Sequence, residues 1–125
     1  MGYQIIKIEH GHMIWGALLE AATIIGAATV RQLTMKMDWT KSNHILVAVL
    51  DDQPVGVLRL VTQRLGEDED RPPIVFRGET LIEGKVITFG VVPEVRRQGI
   101  GRALQEKAVE LARERGCYQL RSRSW

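Results

Sequence analysis

Ten residues gather most of the chemistry that this sequence can offer. Pro93-Glu94-Val95-Arg96-Arg97-Gln98-Gly99-Ile100-Gly101-Arg102 places three arginines and two glycines between an apolar strand pattern and a helical one. The first backbone N–H groups of a helix lack internal acceptors, and the aligned peptide dipoles put partial positive charge there. Glycines at 99 and 101 remove side chains that would hold an anion away from that backbone, and Arg96, Arg97 and Arg102 add formal charge. The chemistry favoured is retention of a phosphate or pyrophosphate. The segment is not a Walker loop, because no Gly-Lys-Ser/Thr closes it. It also lacks the third glycine or alanine of the dinucleotide fingerprint, since position 104 is Leu104. Taken alone, these residues also fit a plain helix start with ordinary glycines.

The elements that must position this segment follow from periodicity. Lys85-Val86-Ile87-Thr88-Phe89-Gly90-Val91-Val92 reads as a strand ended by Pro93. Gly101 to Arg115 reads as a helix, with Ile100, Leu104, Ala108, Leu111 and Ala112 on one face and Gly116 as its cap. Cys117-Tyr118-Gln119-Leu120 starts a last strand, so residues 85–120 form a right-handed parallel crossover. Upstream, Tyr3 to Ile8 reads as a strand, and Met13 to Leu33 as helix with a break near Gly26. Residues 45–61 read as a hairpin turning at Asp51-Asp52-Gln53-Pro54. Gly56 within it suggests a close backbone approach or a bulge. Gly66 to Pro73, with four consecutive acids, reads as a solvated loop, with attraction of a cationic substrate as the sharper alternative.

Composition narrows the function classes. One domain fits in 125 residues, and 45% apolar with 26% charged residues is globular usage. Net charge is only +2, too little to imply nucleic acid, and the Arg-rich end has no interleaved aromatic platform. The charge is uneven, however. From Arg96 onward eight basic residues face three glutamates, which favours an anionic ligand at that end. Met13 to Val30 is apolar but carries Glu20, so it reads as a buried helix rather than a membrane span or a signal peptide. A single cysteine, Cys117, excludes an internal disulfide framework and fits a reducing, cytoplasmic setting. Cys117 reads as a small buried residue. Glu9-His10-Gly11-His12 lacks metal-site spacing, and no metal is expected. Trp15 reads as core, and Trp39, among polar residues, as exposed.

The segment 93–102 resembles the coenzyme A-binding motif of the GNAT superfamily of N-acetyltransferases. That pattern is Gln/Arg-x-x-Gly-x-Gly/Ala, and Arg96-Arg97-Gln98-Gly99-Ile100-Gly101 matches every fixed position. Phe89-x-Val91-x-Pro93 is similar to the strand entering the motif, and the hairpin at 45–61 to the paired strands before it. The resemblance covers most of the chain and is specific over residues 86–121. It implies one α/β (α+β) domain over residues 1–125: a mixed, mostly antiparallel sheet flanked by helices, with a parallel strand–helix–strand unit at its C-terminal end.

The resemblance further implies acetyl transfer from acetyl-CoA to a primary amine by direct attack. The pyrophosphate would rest on Arg96, Arg97, Gln98, Gly99, Ile100, Gly101 and Arg102. The pantetheine arm would pair along Gly90, Val91 and Val92, and the Val91 N–H would polarise the thioester carbonyl. Glu83 and Glu79 are the candidate general bases. Family members continue past the last strand with a helix and further strands that hold an acid tyrosine. Here only Tyr3 and Tyr118 occur, neither in the matching place, so no general acid is assigned. The acceptor pocket is then expected to be completed by a homodimer or by another chain. The rival class is an acyl-CoA-binding or regulatory module with a degenerate site.

Overall fold

The computed structural model describes residues 2–122. Its elements are β1 (Gln4–Ile8), α1 (Trp15–Ile25), α2 (Ala27–Thr34), β2 (Ser42–Leu50), β3 (Gln53–Arg64), β4 (Val75–Phe76), β5 (Glu79–Thr80), β6 (Ile82–Val91), α3 (Ile100–Glu114) and β7 (Gln119–Ser122). The main sheet runs β1-β2-β3-β6-β7, with every pair antiparallel except β6–β7. This is the mixed α/β class expected from the sequence, parallel unit included.

Alternation along the strands sorts the side chains into two layers. Leu46, Leu58, Leu60, Val86 and Val91 pack with Ile100, Leu104 and Ala108 of α3 on one face. Ile45, Val47 and Val57 pack with Leu18, Ala22 and Leu33 of α1 and α2 on the other. The helix expected over 13–33 is interrupted at Gly26, where the backbone is extended and begins α2. Before α1, His12 Nδ1 accepts the Ile14 N–H at 3.1 Å, so this histidine serves the helix entry. No helix among the described residues is long and apolar enough to cross a membrane.

Two differences from the sequence reading matter. The hairpin is longer than expected, with strands over 42–50 and 53–64 around Asp51 and Asp52, both left-handed (φ 50° and 64°). That pair of conformations matches the twist of adjoining strands. A second small hairpin, β4–β5, occupies residues 75–80, where no strand was expected. Its strands are only two residues each and lie at the surface on both faces, so they carry no burial pattern to read.

The strand that matters most is β6. Its register with β3 pairs Arg59 with Thr88 but Leu60 with Val86, leaving Ile87 as a bulge. Its parallel pairing with β7 runs only from Glu83 to Val86. The bulge therefore sits where the described part of β7 ends, and residues 87–91 have no strand neighbour on that side among the described residues. A bulge kinks its strand and re-aims the residues that follow it. At Gly90 the fold requires the absence of a side chain, because a Cβ there would lie 2.5 Å from Ile25 Cγ2 at the end of α1. Gly90→Ala is expected to destabilise the protein by about 1–3 kcal/mol through overpacking. Urea denaturation of Gly90→Ala, Ile25→Ala and the double variant checks this: the double variant should lose less than the sum of the singles.

Candidate active site

The helix start carries the positive end predicted for it. Gly99 caps α3 in a left-handed conformation (φ 82°) with open space where a side chain would stand. The first intrahelical bond is Ala103 N–H to Gly99 O at 3.0 Å, so the preceding N–H groups through Arg102 are free of helix partners. Arg96, Arg97 and Gln98 are exposed around them. Arg97 is itself left-handed (φ 70°). Arg102 lies loosely against Glu106 at 4.0 Å. A Cβ at Gly101 would meet the Phe89 ring at 3.1 Å, so the absence of a side chain there lets α3 close on β6.

Backbone directions on β6 refine the expected cradle. The Val92 N–H donates to Val55 O at 2.8 Å, on the β3 side. Gly90, in register with Val57, faces β3 as well by alternation. Phe89 and Val91 therefore turn their backbone groups toward the open edge. The Val91 carbonyl accepts Arg96 Nε at 3.0 Å, tying the arginine loop to the strand and leaving the Val91 N–H facing the opening. Of Gly90, Val91 and Val92, only Val91 turns its backbone groups away from β3, and Phe89 does the same.

Two clefts meet at the bulge. On the α3 face a slot of about 260 Å³ is lined by Leu58, Val86, Phe89, Ala108 and Leu120 among others. On the α2 face a cleft of about 580 Å³ is bordered by Met35, Met37, Trp39, Glu67, Asp70 and Ile87 among others. Consecutive residues, Val86 and Ile87, thus belong to opposite faces at the point where the described part of β7 ends. Trp39 is half exposed, and its Nε1 donates to Gln63 Oε1 at 3.3 Å.

Glu83, a candidate base, is fully buried and fully engaged. Its Oε1 accepts Arg121 Nε at 2.6 Å and Gln119 Nε2 at 3.0 Å. Its Oε2 accepts Gln63 Nε2 and the Gly66 N–H at 2.9 Å each, and Arg121 Nη2 at 3.0 Å. Burial pushes this carboxyl up, but the hydrogen bonds from Arg121, Gly66, Gln63 and Gln119 outweigh it and hold it down at about 2. A carboxylate so satisfied has neither the lone pairs nor the basicity to take a proton near neutral pH. Asp68 completes the network: it accepts from Lys85, Gln63 and Arg121. Glu79 lies exposed on the small hairpin and borders neither cleft. Cys117 is half-buried, and burial followed by the charge of Glu83 pushes its thiol up, away from nucleophilic use. Gln63, Asp68 and Arg121 escaped the sequence reading. The available signal was Gln63 itself, a polar residue just past the apolar run at the end of β3.

The family model for the acetyltransferase (GNAT) family matches residues 12–123. The chain belongs to the GNAT family. As a GNAT protein it is an acyltransferase by family, in a fold that binds an acyl-CoA and an acceptor. No curated protein matches it in sequence. Solved GNAT structures share its fold. An aminoglycoside acetyltransferase from an uncultured soil metagenomic sample is 20% identical, with a TM-score of 0.69 over 100% of this chain and 81% of that one. A Trypanosoma brucei acetyltransferase is 20% identical, with a TM-score of 0.70 over 99% and 84%. An aminoglycoside N-acetyltransferase in complex with CoA is 15% identical, with a TM-score of 0.61 over 98% and 79%.

The Glu83 network generates a stability prediction. Glu83→Gln removes the buried carboxylate from Arg121, which keeps Asp68 as a partner, and is expected to cost about 1–3 kcal/mol because Arg121 is also partly exposed. A carboxyl lowered from 4.5 to about 2 stabilises the fold above pH 4.5. That contribution is lost as pH falls from 4.5 toward 2. Denaturation midpoints measured across this window should fall steeply in the parent chain and more gently in Glu83→Gln.

Proposed function

We propose that this protein transfers an acetyl group from acetyl-CoA to a primary amine by direct attack. The observation that carries this reading is the backbone of Phe89 and Val91, which turns away from β3 between an apolar slot on the α3 face and a polar cleft on the α2 face, beside a helix start flanked by Arg96 and Arg97. The free N–H groups at the start of α3 suit the pyrophosphate, with Gly99 leaving room for it. The slot beside Phe89 suits the pantetheine arm. The Val91 N–H is the donor we assign to the thioester carbonyl, where it would stabilise the charge that develops on oxygen. The amine approaches from the cleft bordered by Trp39 and Ile87. It must be neutral to attack, so its proton passes to water or to a cleft carboxylate such as Glu67 or Asp70. Glu83 acts in this reading as a positioning residue that joins β6, β7 and the 66–68 turn.

The test is release of free CoA thiol from acetyl-CoA in the presence of a broad amine panel. Release should require an amine and rise with pH as the amine deprotonates. The Arg96→Ala/Arg97→Ala variant should weaken acetyl-CoA binding by about tenfold, with a smaller salt dependence than the parent. Tight acetyl-CoA binding with no thiol release from any amine would instead favour the non-catalytic acyl-CoA-binding module.

We also propose a homodimer joined near β7, one of the two outer strands of the described sheet, whose far side has no strand partner among the described residues. Light scattering should give twice the chain mass of 14.1 kDa at micromolar concentration. A single-chain mass at all such concentrations refutes assembly.

A further inference from the structure

A second cleft of about 580 Å³ takes no part in that reading. It lies past the C-terminal end of α2 and is bordered by His10, Lys36, Asp38, Lys41, Asn43 and Arg59 among others. Arg59 is the unusual member. It projects from the central strand β3, is only 2% exposed, and has no carboxylate partner among the described residues. A guanidinium has five N–H donors. Arg59 Nη1 donates to Gln32 O and Met35 O at 2.8 Å each, the terminal carbonyls of α2. Arg59 Nε donates to Asn43 Oδ1 at 3.0 Å. Partial negative charge at the helix end partly compensates those donors. The Nη2 pair makes no hydrogen bond among the described residues.

A buried charge is ordinarily paired, and an unfilled pair of charged donors at a cleft wall calls for an acceptor. Lys36 and Lys41 add positive charge at the rim and Asp38 adds one negative charge, so the cleft remains net positive. We propose that Arg59, with Lys36 and Lys41, binds an anionic oxygen group in this cleft, either a carboxylate or a phosphate. The site is separate from the pyrophosphate cradle at the start of α3. Met35 and Met37 border both this cleft and the one beside Ile87, so the two are neighbours across one wall.

Nitrogen-15 NMR of the full chain tests this without reference to acetyl transfer. Inorganic phosphate and acetate are titrated separately at constant ionic strength, following the Arg59 Nε–Hε resonance. A saturable shift is expected in at least one titration, and the one that saturates identifies the ligand class. Lys36→Ala/Lys41→Ala should weaken it by about fivefold, and Asp38→Asn should strengthen it. Arg59→Lys should abolish saturation. Should that variant fail to fold, the lysine and aspartate variants decide alone, because their side chains are exposed. Absence of saturation with both anions, or an affinity unchanged in the double lysine variant, overturns the proposal.

Discussion

The carboxylate of Glu83 ties β6 to β3, to β7 and to the turn at Gly66. Five N–H contacts converge on it from β3, β7 and the turn at Gly66, two of them from the single guanidinium of Arg121. A buried carboxylate tolerates that position only when its oxygens are filled, and here each donor comes from a different stretch of chain or holds one in place. The parallel rungs between β6 and β7 begin at this residue. Four residues further along, the bulge at Ile87 turns β6 just past the last described rung, Val86 to Ser122.

This arrangement gives β6 three duties along ten residues. Its first part is a structural anchor through Glu83 and Lys85. Its middle, at Val86 and Ile87, faces a cleft on each side of the sheet. Its last part packs α3 closely and, at Phe89 and Val91, turns backbone groups away from β3. The close approach at Gly101 and the Arg96 bond to the Val91 carbonyl set the arginine loop against this last part. The positive helix start and the open strand edge are thereby held in one fixed relation.

Much of this was legible because it is local. The helical period of residues 100–114, the left-handed Asp51-Asp52 turn and the Arg96–Gly101 motif each lie within one element or one junction. The break at Gly26 was legible for the same reason. What escaped is non-local or ambiguous in principle. Arg121 reaches Glu83 across 38 positions, and nothing about an exposed-type arginine near the chain end announces that contact. A glutamate near the start of a strand has the same local signature whether it takes a proton or joins three elements. Gly101 sits at the same motif position whether the missing side chain admits an anion or a phenylalanine ring. The β4–β5 hairpin buries nothing, and burial is what makes a strand pattern visible.

That small hairpin also bears on how the chain behaves in concentrated solution. Ile74, Val75 and Phe76 are consecutive and roughly half exposed or more. An uncovered apolar run beside a short strand is a seed for sticking between molecules. The residue at the turn is Arg77, whose guanidinium stands 5.1 Å from the centre of the Phe76 ring. Another strand or apolar surface that covered this ring would have to displace or dehydrate that cation. The arginine thus acts as a gatekeeper, leaving the ring in water while making self-association through it costly.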